Sequence, residues 1–281
     1  GLAPTFAALM RHFVGERDVA KSKADGSPGL LDRLYPSPGG AELAVQDLSK
    51  RFGHVAAVNG LTLSFTQRGV NCVLGPNGAG KSSFFNLLAG RFAPSQGRIL
   101  LRGIDITRME SNKRARNGLG IKLQVPCIYP GLTVRENLWL AAYAGVQDAE
   151  QADQRAADMA DWMGLVSCFD VEAGILAHGQ QQWLEIGMVL LTSPSVILLD
   201  EPTAGMTREE TSRTAALTRE LGEKASVIVV EHDMEFVRQL GVTSTVLHQG
   251  KVFALGQLDE LRKNEAVLDI YLGRRRQHAD A

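Results

Sequence analysis

Residues 70–82 read VNCVLGPNGAGKS, a mostly apolar run that leads directly into a glycine-rich loop ending in lysine and serine. The apolar part has the composition of a buried parallel strand, and residues 81–88 carry apolar side chains at helical spacing. Strand-like and helix-like segments continue to alternate farther along the chain, which predicts an α/β fold with a mainly parallel sheet. The strands predicted there are 196–199, 227–230, 244–247 and 251–255, with helices at 207–221 and 234–240.

The loop from Gly75 to Ser82 matches the pattern G-x-x-x-x-G-K-[S/T] in full. Glycines let successive backbone N–H groups turn toward a phosphate, and the lysine reaches the β- and γ-phosphates. The serine hydroxyl is a suitable Mg²⁺ ligand. An ordinary glycine-rich turn is disfavoured, because the loop joins a predicted strand to a predicted helix. The expected ATP-binding residues here are Gly75, Asn77, Gly78, Ala79, Gly80, Lys81, Ser82 and Ser83.

Two adjacent carboxylates, Asp200 and Glu201, end an apolar strand. Such pairs are usually solvated, but α/β folds place ligands at the carboxyl ends of their strands. We therefore expect Asp200 to contact Mg²⁺ and Glu201 to polarise an attacking water.

Three further side chains are candidates because of their positions. His232 follows an apolar strand and could donate to a γ-phosphate, although a lone histidine is more often structural. Gln124 could contact Mg²⁺ or the attacking water through its amide, so Glu201, His232 and Gln124 are the predicted catalytic set. Phe52, with Val58 nearby, could stack on adenine or belong to the core, and both interpretations stay open.

Bulk composition excludes several classes of protein. The 281 residues are 44% hydrophobic and 22% charged, as is ordinary for a globular chain, and the formal net charge of −1 gives no field that attracts nucleic acid. The three cysteines are widely spaced and predict reduced thiols of a cytosolic protein. The sequence contains no run of about 18 consecutive apolar residues, so it predicts no membrane span. The six histidines are not spaced as metal ligands are.

The chain divides into three predicted parts. Residues 1–40 form an extension that is expected to be flexible, with a short helical pattern at 4–13 and a linker composition at 21–40. Residues 41–273 form the ATPase domain, in which strands 97–101 and 104–106 predict an antiparallel addition. Residues 124–187 carry helix-spaced apolar residues and predict a helical insertion. Residues 274–281 are a basic tail.

A second glycine-bearing loop, 176–180 (LAHGQ), opens a predicted helix, where backbone N–H groups can capture an anion. The order of phosphate loop, glutamine, glycine loop, Asp-Glu and histidine resembles the nucleotide-binding subunit of ABC transporters over residues 43–273. The resemblance implies ATP and Mg²⁺ as cofactors. It also implies functional roles, namely adenine stacking for Phe52, a trans-acting signature loop in Ala177, His178, Gly179 and Gln180, dimer contact for residues 204–207, and a switch role for His232.

Finer features narrow the resemblance. Residues 176–188 (LAHGQQQWLEIGM), 200–207 (DEPTAGMT) and 270–273 (IYLG) are similar to the importer group for branched-chain amino acids and amides. Residues 231–238 and 246–250 look most like the urea-importer ATPase of that group. The implied function is therefore uptake of a small polar solute such as urea or a short amide, with branched-chain amino-acid import as the alternative. Two alternatives from other classes are a soluble ABC ATPase not coupled to transport and a lipid exporter.

The signature loop departs from the family pattern. Ala177 stands where a serine is usual, so a hydroxyl that would bond the γ-phosphate, worth about 1.5–3 kcal/mol, is missing. His178 replaces a glycine, and Thr207 stands where many relatives have an acid.

The resemblance also implies partners. One chain carries one copy of each motif, so a complete site requires a second ATPase subunit, identical or related. Transmembrane permease subunits would dock near residues 124–134, and a periplasmic solute-binding protein would act indirectly, which implies a location at the cytoplasmic face of the bacterial inner membrane. Ile128, Tyr129 and Leu132 are equally compatible with a docking groove and with the core.

Overall fold

The computed structural model describes residues 29–35, 42–65 and 68–272. Its strands are β1 (Leu43–Phe52), β2 (Val55–Phe65), β3 (Gly69–Leu74), β4 (Gln96–Leu101), β5 (Ile104–Asp105), β6 (Leu119–Lys122), β7 (Val196–Asp200), β8 (Ser226–Val230), β9 (Thr243–His248) and β10 (Lys251–Gln257). Its α-helices are α1 (Leu30–Leu34), α2 (Lys81–Leu88), α3 (Ser111–Arg116), α4 (Val134–Val146), α5 (Ala149–Met163), α6 (His178–Leu191), α7 (Arg208–Gly222), α8 (Met234–Leu240), α9 (Leu258–Leu261) and α10 (Glu265–Leu272).

A six-stranded sheet in the order β10-β9-β3-β8-β7-β6 forms the centre of the molecule. All neighbouring pairs from β9 to β6 are parallel, and β10 is added antiparallel. The buried strand β8 has five residues without an exposed position, as expected for a strand covered on both faces. The prediction of a mainly parallel α/β core is confirmed.

A second, antiparallel sheet in the order β2-β1-β4-β5 packs over α2. The sequence predicts only part of it, because β2 begins at Val55 rather than near residue 61. The pairing of β1 with β2 shifts register three times, and Gly60 has φ +66°, so the period-two pattern is interrupted there. The buried aromatic pair Phe84 and Phe85 of α2 fills the space between the two sheets.

The predicted helical insertion consists of α4, α5 and the first part of α6. Thr133 and Glu136 form a capping box at the start of α4: Thr133 Oγ1 accepts from Glu136 N at 3.1 Å, and Glu136 Oε2 accepts from Thr133 N at 2.7 Å. Buried Leu138, Met159 and Leu184 belong to one apolar cluster that joins these helices to the parallel sheet. The first helix of the insertion starts only at Val134, so Gln124 lies on a loop.

Part of the predicted linker is structured. The composition of residues 21–40 predicts a linker, and for Leu30–Leu34 this prediction is wrong. The three leucines of α1 are buried at 4–8% exposure against the helical region, so apolar burial outweighs the surrounding glycine and proline. Asp32 pairs with Lys224 at 2.6 Å, and Arg33 pairs with Asp158 at 2.5 Å.

Other predictions concern residues outside the described ranges. These are the helical pattern at 4–13, the remaining extension and the basic tail at 274–281. Among the residues that the structure describes, none of the helices combines the length and the apolar character that a membrane crossing requires.

Candidate functional site

Four neighbouring strands end at one edge of the parallel sheet. Their order, β3-β8-β7-β6, places the phosphate loop after β3, Glu231 and His232 after β8, Asp200 and Glu201 at the end of β7, and Gln124 beyond β6. The predicted residues, which are spread over more than 150 positions in sequence, are therefore brought to one edge, where parallel α/β sheets place ligands.

The phosphate loop has a backbone that only glycine adopts easily. Gly80 has φ +102°, and a Cβ there would collide with the Ala57 carbonyl, so the loop packs directly on β2. Lys81 Nζ donates to the Gly75 carbonyl at 2.5 Å and to the Pro76 carbonyl at 3.1 Å, which curls the loop around the ammonium. Burial lowers the pKa of Lys81, while the carboxylates of Glu201, Asp200 and Glu231 oppose that shift.

The remaining loop residues differ in exposure. Asn77, Gly78 and Ser82 are exposed, Gly80 and Ser83 are half-buried, and Gly75 and Ala79 are buried. The exposed group includes the serine hydroxyl predicted to meet Mg²⁺. Ala79 and Gly75 can contribute only backbone groups to a bound phosphate.

Three carboxylates crowd the same edge. Burial and the neighbouring Glu201 raise the pKa of Asp200 to about 6, and the charges of Lys122 and Lys81 counteract this only in part. Among the described residues, no side chain or backbone group donates a hydrogen bond to the Asp200 carboxylate. A half-buried carboxylate that repels its neighbours and has no donor fits a Mg²⁺ ligand, because the cation would neutralise that repulsion.

Glu201 is bracketed by two side chains. Gln124 Nε2 donates to Glu201 Oε2 at 2.8 Å, and His232 Nδ1 lies 3.3 Å from Glu201 Oε1. The backbone of Glu201 has φ +44°, and its N–H donates to the Val230 carbonyl at 2.9 Å. This strained conformation turns the glutamate out of the strand direction and fixes it beside the phosphate loop.

The two predicted adenine-side residues, Phe52 and Val58, differ in exposure. Phe52 is 46% exposed, packs edge to face on Phe92 at 5.5 Å and has the Lys50 ammonium 5.1 Å from its ring centre. It is therefore a surface aromatic rather than a core residue. Val58 is completely buried between the two sheets and offers no side-chain surface to a ligand.

The glycine loop opens α6. Ala177 takes the N-cap position, where its N–H donates to Gln180 Oε1 at 3.2 Å, but it has no side-chain oxygen to cap the helix. His178 lies against Gly205, and Gly179 lies so close to the Glu210 carboxylate that a Cβ would clash. Thr207 and Glu210 form the capping box of α7, with Glu210 N donating at 3.3 Å and Thr207 N at 2.8 Å.

The proposed docking segment is partly exposed. Tyr129 is 54% exposed and Val125 is 75% exposed, whereas Leu132 is buried at 5%. The exposed apolar surface is thus carried by Val125 and Tyr129, and Leu132 belongs to the core.

Three buried charges at the site are absent from the predicted set. Glu231 is 1% exposed and accepts Thr203 Oγ1 at 2.7 Å and His232 N at 2.9 Å. Its place immediately after β8, like that of Asp200 at the end of β7, is the signal that could have identified it. Lys122 is completely buried and donates to the Asp200 carbonyl at 3.3 Å, and Glu185 is 3% exposed on α6. A lysine inside an otherwise apolar strand run was visible in the sequence; the position of Glu185 depends on tertiary packing.

Comparisons with known proteins identify the family of this chain. The family model described as "ABC transporter" matches residues 58–204. The high-affinity branched-chain amino acid transport ATP-binding protein BraF of Pseudomonas aeruginosa is 34% identical over 82% of this chain and 97% of its own. The corresponding LivG protein of Salmonella typhimurium is 33% identical over the same shares.

A solved structure has the same architecture. The ADP conformation of MJ1267, an ATP-binding cassette of an ABC transporter, aligns with a TM-score of 0.74 and 25% identity, covering 83% of this chain and 99% of that one. The expected similarity to a urea importer is not reproduced by these relatives, whose names refer to branched-chain amino acids. The chain therefore belongs to the ATP-binding subunits of the ABC transporter family, which are ATPases that power transport.

Proposed function

We propose that this chain binds and hydrolyses ATP to drive an importer of the branched-chain amino acid type. The observation that carries the proposal is the placement of Glu201 between Gln124 and His232, at the sheet edge that also holds the phosphate loop. The names of the relatives support the transport role.

In this mechanism the side chains and backbone of the chain bind ATP and orient the attacking water. The phosphate loop and Lys81 hold the β- and γ-phosphates, and Phe52 stacks on the adenine. The Glu201 carboxylate accepts a proton from the attacking water, while Gln124 and His232 fix its two oxygens. Ser82, Asp200 and Gln124 would hold Mg²⁺, which when bound neutralises phosphate charge.

A complete site requires two chains. The glycine loop of α6 packs against Gly205 and Glu210 of its own chain. No hydrogen bond among the described residues joins residues 176–180 to residues 75–82. The loop is therefore free to cover nucleotide bound to a second ATPase subunit, identical or related. His178 lies against Gly205, so the signature and dimer-contact loops would move together.

The same proposal gives the remaining partners and the location. Exposed Val125 and Tyr129 would contact transmembrane permease subunits, which hold the chain at the cytoplasmic face of a bacterial inner membrane. A periplasmic solute-binding protein would act through the permease and never touch this chain.

The solute has two candidates. Branched-chain amino acids are favoured by the names of the relatives, which cover 82% of the chain. Urea or a short amide is the second candidate, and the local sequences at 231–238 and 246–250 support it. The ATPase does not contact the solute, so only the whole transporter discriminates between the two.

The shared-site proposal is tested by gel filtration of Glu201→Gln with ATP. This variant should bind ATP, hydrolyse it at least a hundredfold more slowly and elute as a dimer, whereas Lys81→Ala should elute as a monomer. A Glu201→Gln protein that binds ATP and remains a monomer at all concentrations contradicts a site shared between two copies of this chain.

The solute is tested in the complex reconstituted with permease and binding protein. Stimulation of ATP turnover by leucine but not by urea supports the branched-chain assignment. The reverse pattern establishes the amide assignment.

A further inference from the structure

Glu185 is a buried carboxylate on α6, the helix that begins at the glycine loop. It is 3% exposed, and its Oε1 accepts a hydrogen bond from the Cys127 backbone N–H at 3.1 Å. Burial raises the pKa of Glu185 to about 6, and the backbone N–H groups of Cys127 and Leu123 and the charge of Lys122 oppose this shift. The carboxylate thus holds the backbone at Cys127, the last residue of the segment from residue 123 to residue 127.

That segment contains Gln124. The Gln124 side chain contacts Glu201, to which its Nε2 donates at 2.8 Å. A continuous set of contacts therefore runs from α6 through Glu185 and the segment backbone to the carboxylate proposed to activate water. Lys122, which is completely buried immediately before the segment, donates to the Asp200 carbonyl and completes the connection to β7.

Burying the Glu185 carboxylate on α6 carries an energetic cost. Glu185 Oε2 is buried and has no hydrogen-bond partner, and burial of an incompletely satisfied charge destabilises a fold. The neighbouring positions of α6, Leu184 and Ile186, are apolar and buried, so Glu185 brings a charge into apolar surroundings, where the buried ammonium of Lys122 is its nearby counter-charge. The glutamate side chain also reaches the backbone N–H of Cys127, at the end of the Gln124 segment.

We propose that Glu185 is a positioning residue, which ties α6 to the Gln124 segment so that the placement of the glycine loop sets the placement of Gln124 on Glu201. The proposal rests on the proposed ATPase function. Nucleotide held by the glycine loop at the start of α6 would thereby favour one position of Gln124. A simpler alternative is that Glu185 only satisfies the Cys127 N–H and stabilises the loop.

A double-mutant cycle distinguishes the positioning role of Glu185 from a role in loop stability alone. Glu185→Leu should lower kcat about tenfold and change the ATP dissociation constant less than twofold. Glu185→Gln keeps an acceptor oxygen for Cys127 and should retain at least a third of kcat. Glu185→Leu combined with Gln124→Ala should be no slower than Gln124→Ala alone, because both changes act through the same side chain.

Additive losses in the cycle overturn the proposal, as does a Glu185→Leu enzyme with unchanged kcat. If Glu185→Leu fails to fold, Glu185→Asp replaces it in the cycle: it keeps the charge, loses the reach to Cys127 and should show the same loss. A wild-type chain without ATP turnover contradicts the proposed function instead, and turnover that is abolished by Lys81→Ala verifies that function independently.

Discussion

Gln124 Nε2 donates to Glu201 Oε2 at 2.8 Å, while His232 Nδ1 stands 3.3 Å from the other oxygen of the same carboxylate. The two contacts come from different strands, since Gln124 follows β6 and His232 follows β8, on either side of β7. Glu201, which follows β7, is therefore oriented by one residue from beyond each of the two strands that flank β7. A carboxylate held in one rotamer is suited to polarise a water at a defined place.

Gln124→Ala removes one of these contacts. We expect kcat to fall about tenfold to a hundredfold, equivalent to about 1.4–2.8 kcal/mol, because Glu201 gains rotational freedom. ATP affinity, measured with a fluorescent analogue in the absence of Mg²⁺, should stay within threefold, because the phosphate loop is intact. Gln124→Glu is the matched variant: it keeps the size, places a like charge beside Glu201 and should be slower than the alanine variant. An alanine variant with wild-type kcat contradicts the orienting role.

Ala177→Ser restores the hydroxyl that the glycine loop lacks. A serine at the N-cap of α6 should stabilise the free chain by about 0.5–2 kcal/mol and also offer a donor to nucleotide on a second chain. We expect a higher melting temperature without ATP and a faster ATP turnover.

Ala177→Gly is the control for the two effects. It relaxes the cap backbone without supplying a hydroxyl, so it should leave turnover unchanged. A serine variant that is more stable yet no faster shows that this hydroxyl plays no part in closure.

How far the sequence predicts the site depends on the range of each signal. The phosphate loop, Asp200, Glu201 and His232 are predicted because each lies at the end of an apolar strand or within two residues of it, and strand ends are visible in a local window. The burial of Val58 is not predicted, because its proximity to Phe52 in sequence says nothing about which face of β2 it occupies. Glu185 and Lys122 are missed because their role comes from packing between α6, β6 and β7.

The fold shows the same limit. The helical pattern and the parallel strands are predicted well because their periodicities are local. Helix α1 is missed because its five residues lie in a polar, glycine-rich context, and only burial against α5 makes its leucines favourable there.

The raised pKa of Asp200 predicts that Mg²⁺ binding depends on pH. Its pKa is raised to about 6 in the free chain, and a proton on the carboxylate competes with the cation. Above pH 7 the group is ionised and Mg²⁺ affinity should be constant. Below the pKa the protonated form prevails, so the apparent affinity should fall about tenfold per pH unit.

Calorimetric titration of Mg²⁺ with an ATP analogue between pH 5 and pH 8 measures this effect. In Asp200→Asn the affinity should be weaker at pH 7.5 and should lose the step near pH 6. A wild-type affinity that is unchanged from pH 8 to pH 5 contradicts the assignment of Asp200 as a ligand.

The three cysteines are free thiols with different environments. Cys127 is exposed on the Gln124 segment, whereas burial raises the pKa of Cys72 far above its usual range. Iodoacetamide at pH 8 should therefore modify Cys127 rapidly and leave Cys72 unmodified in the folded chain, as mass spectrometry of peptides would show. Rapid labelling of Cys72 under native conditions contradicts its burial in β3, and Cys127→Ser should remove the fast phase.

The buried leucines of α1 predict that a substitution in this helix lowers the free energy of unfolding. Leu31 is 4% exposed in the helical cluster, so Leu31→Ala should lower the free energy of unfolding by about 2–5 kcal/mol, measured in denaturant. The matched control is Leu268→Ala on α10, which is 40% exposed and should change it by less than about 0.5 kcal/mol. Because Asp32 pairs with Lys224 beside β8 while Arg33 pairs with Asp158 on α5, α1 connects the parallel sheet to the helical insertion. Equal effects of the two leucine variants contradict the packing of α1.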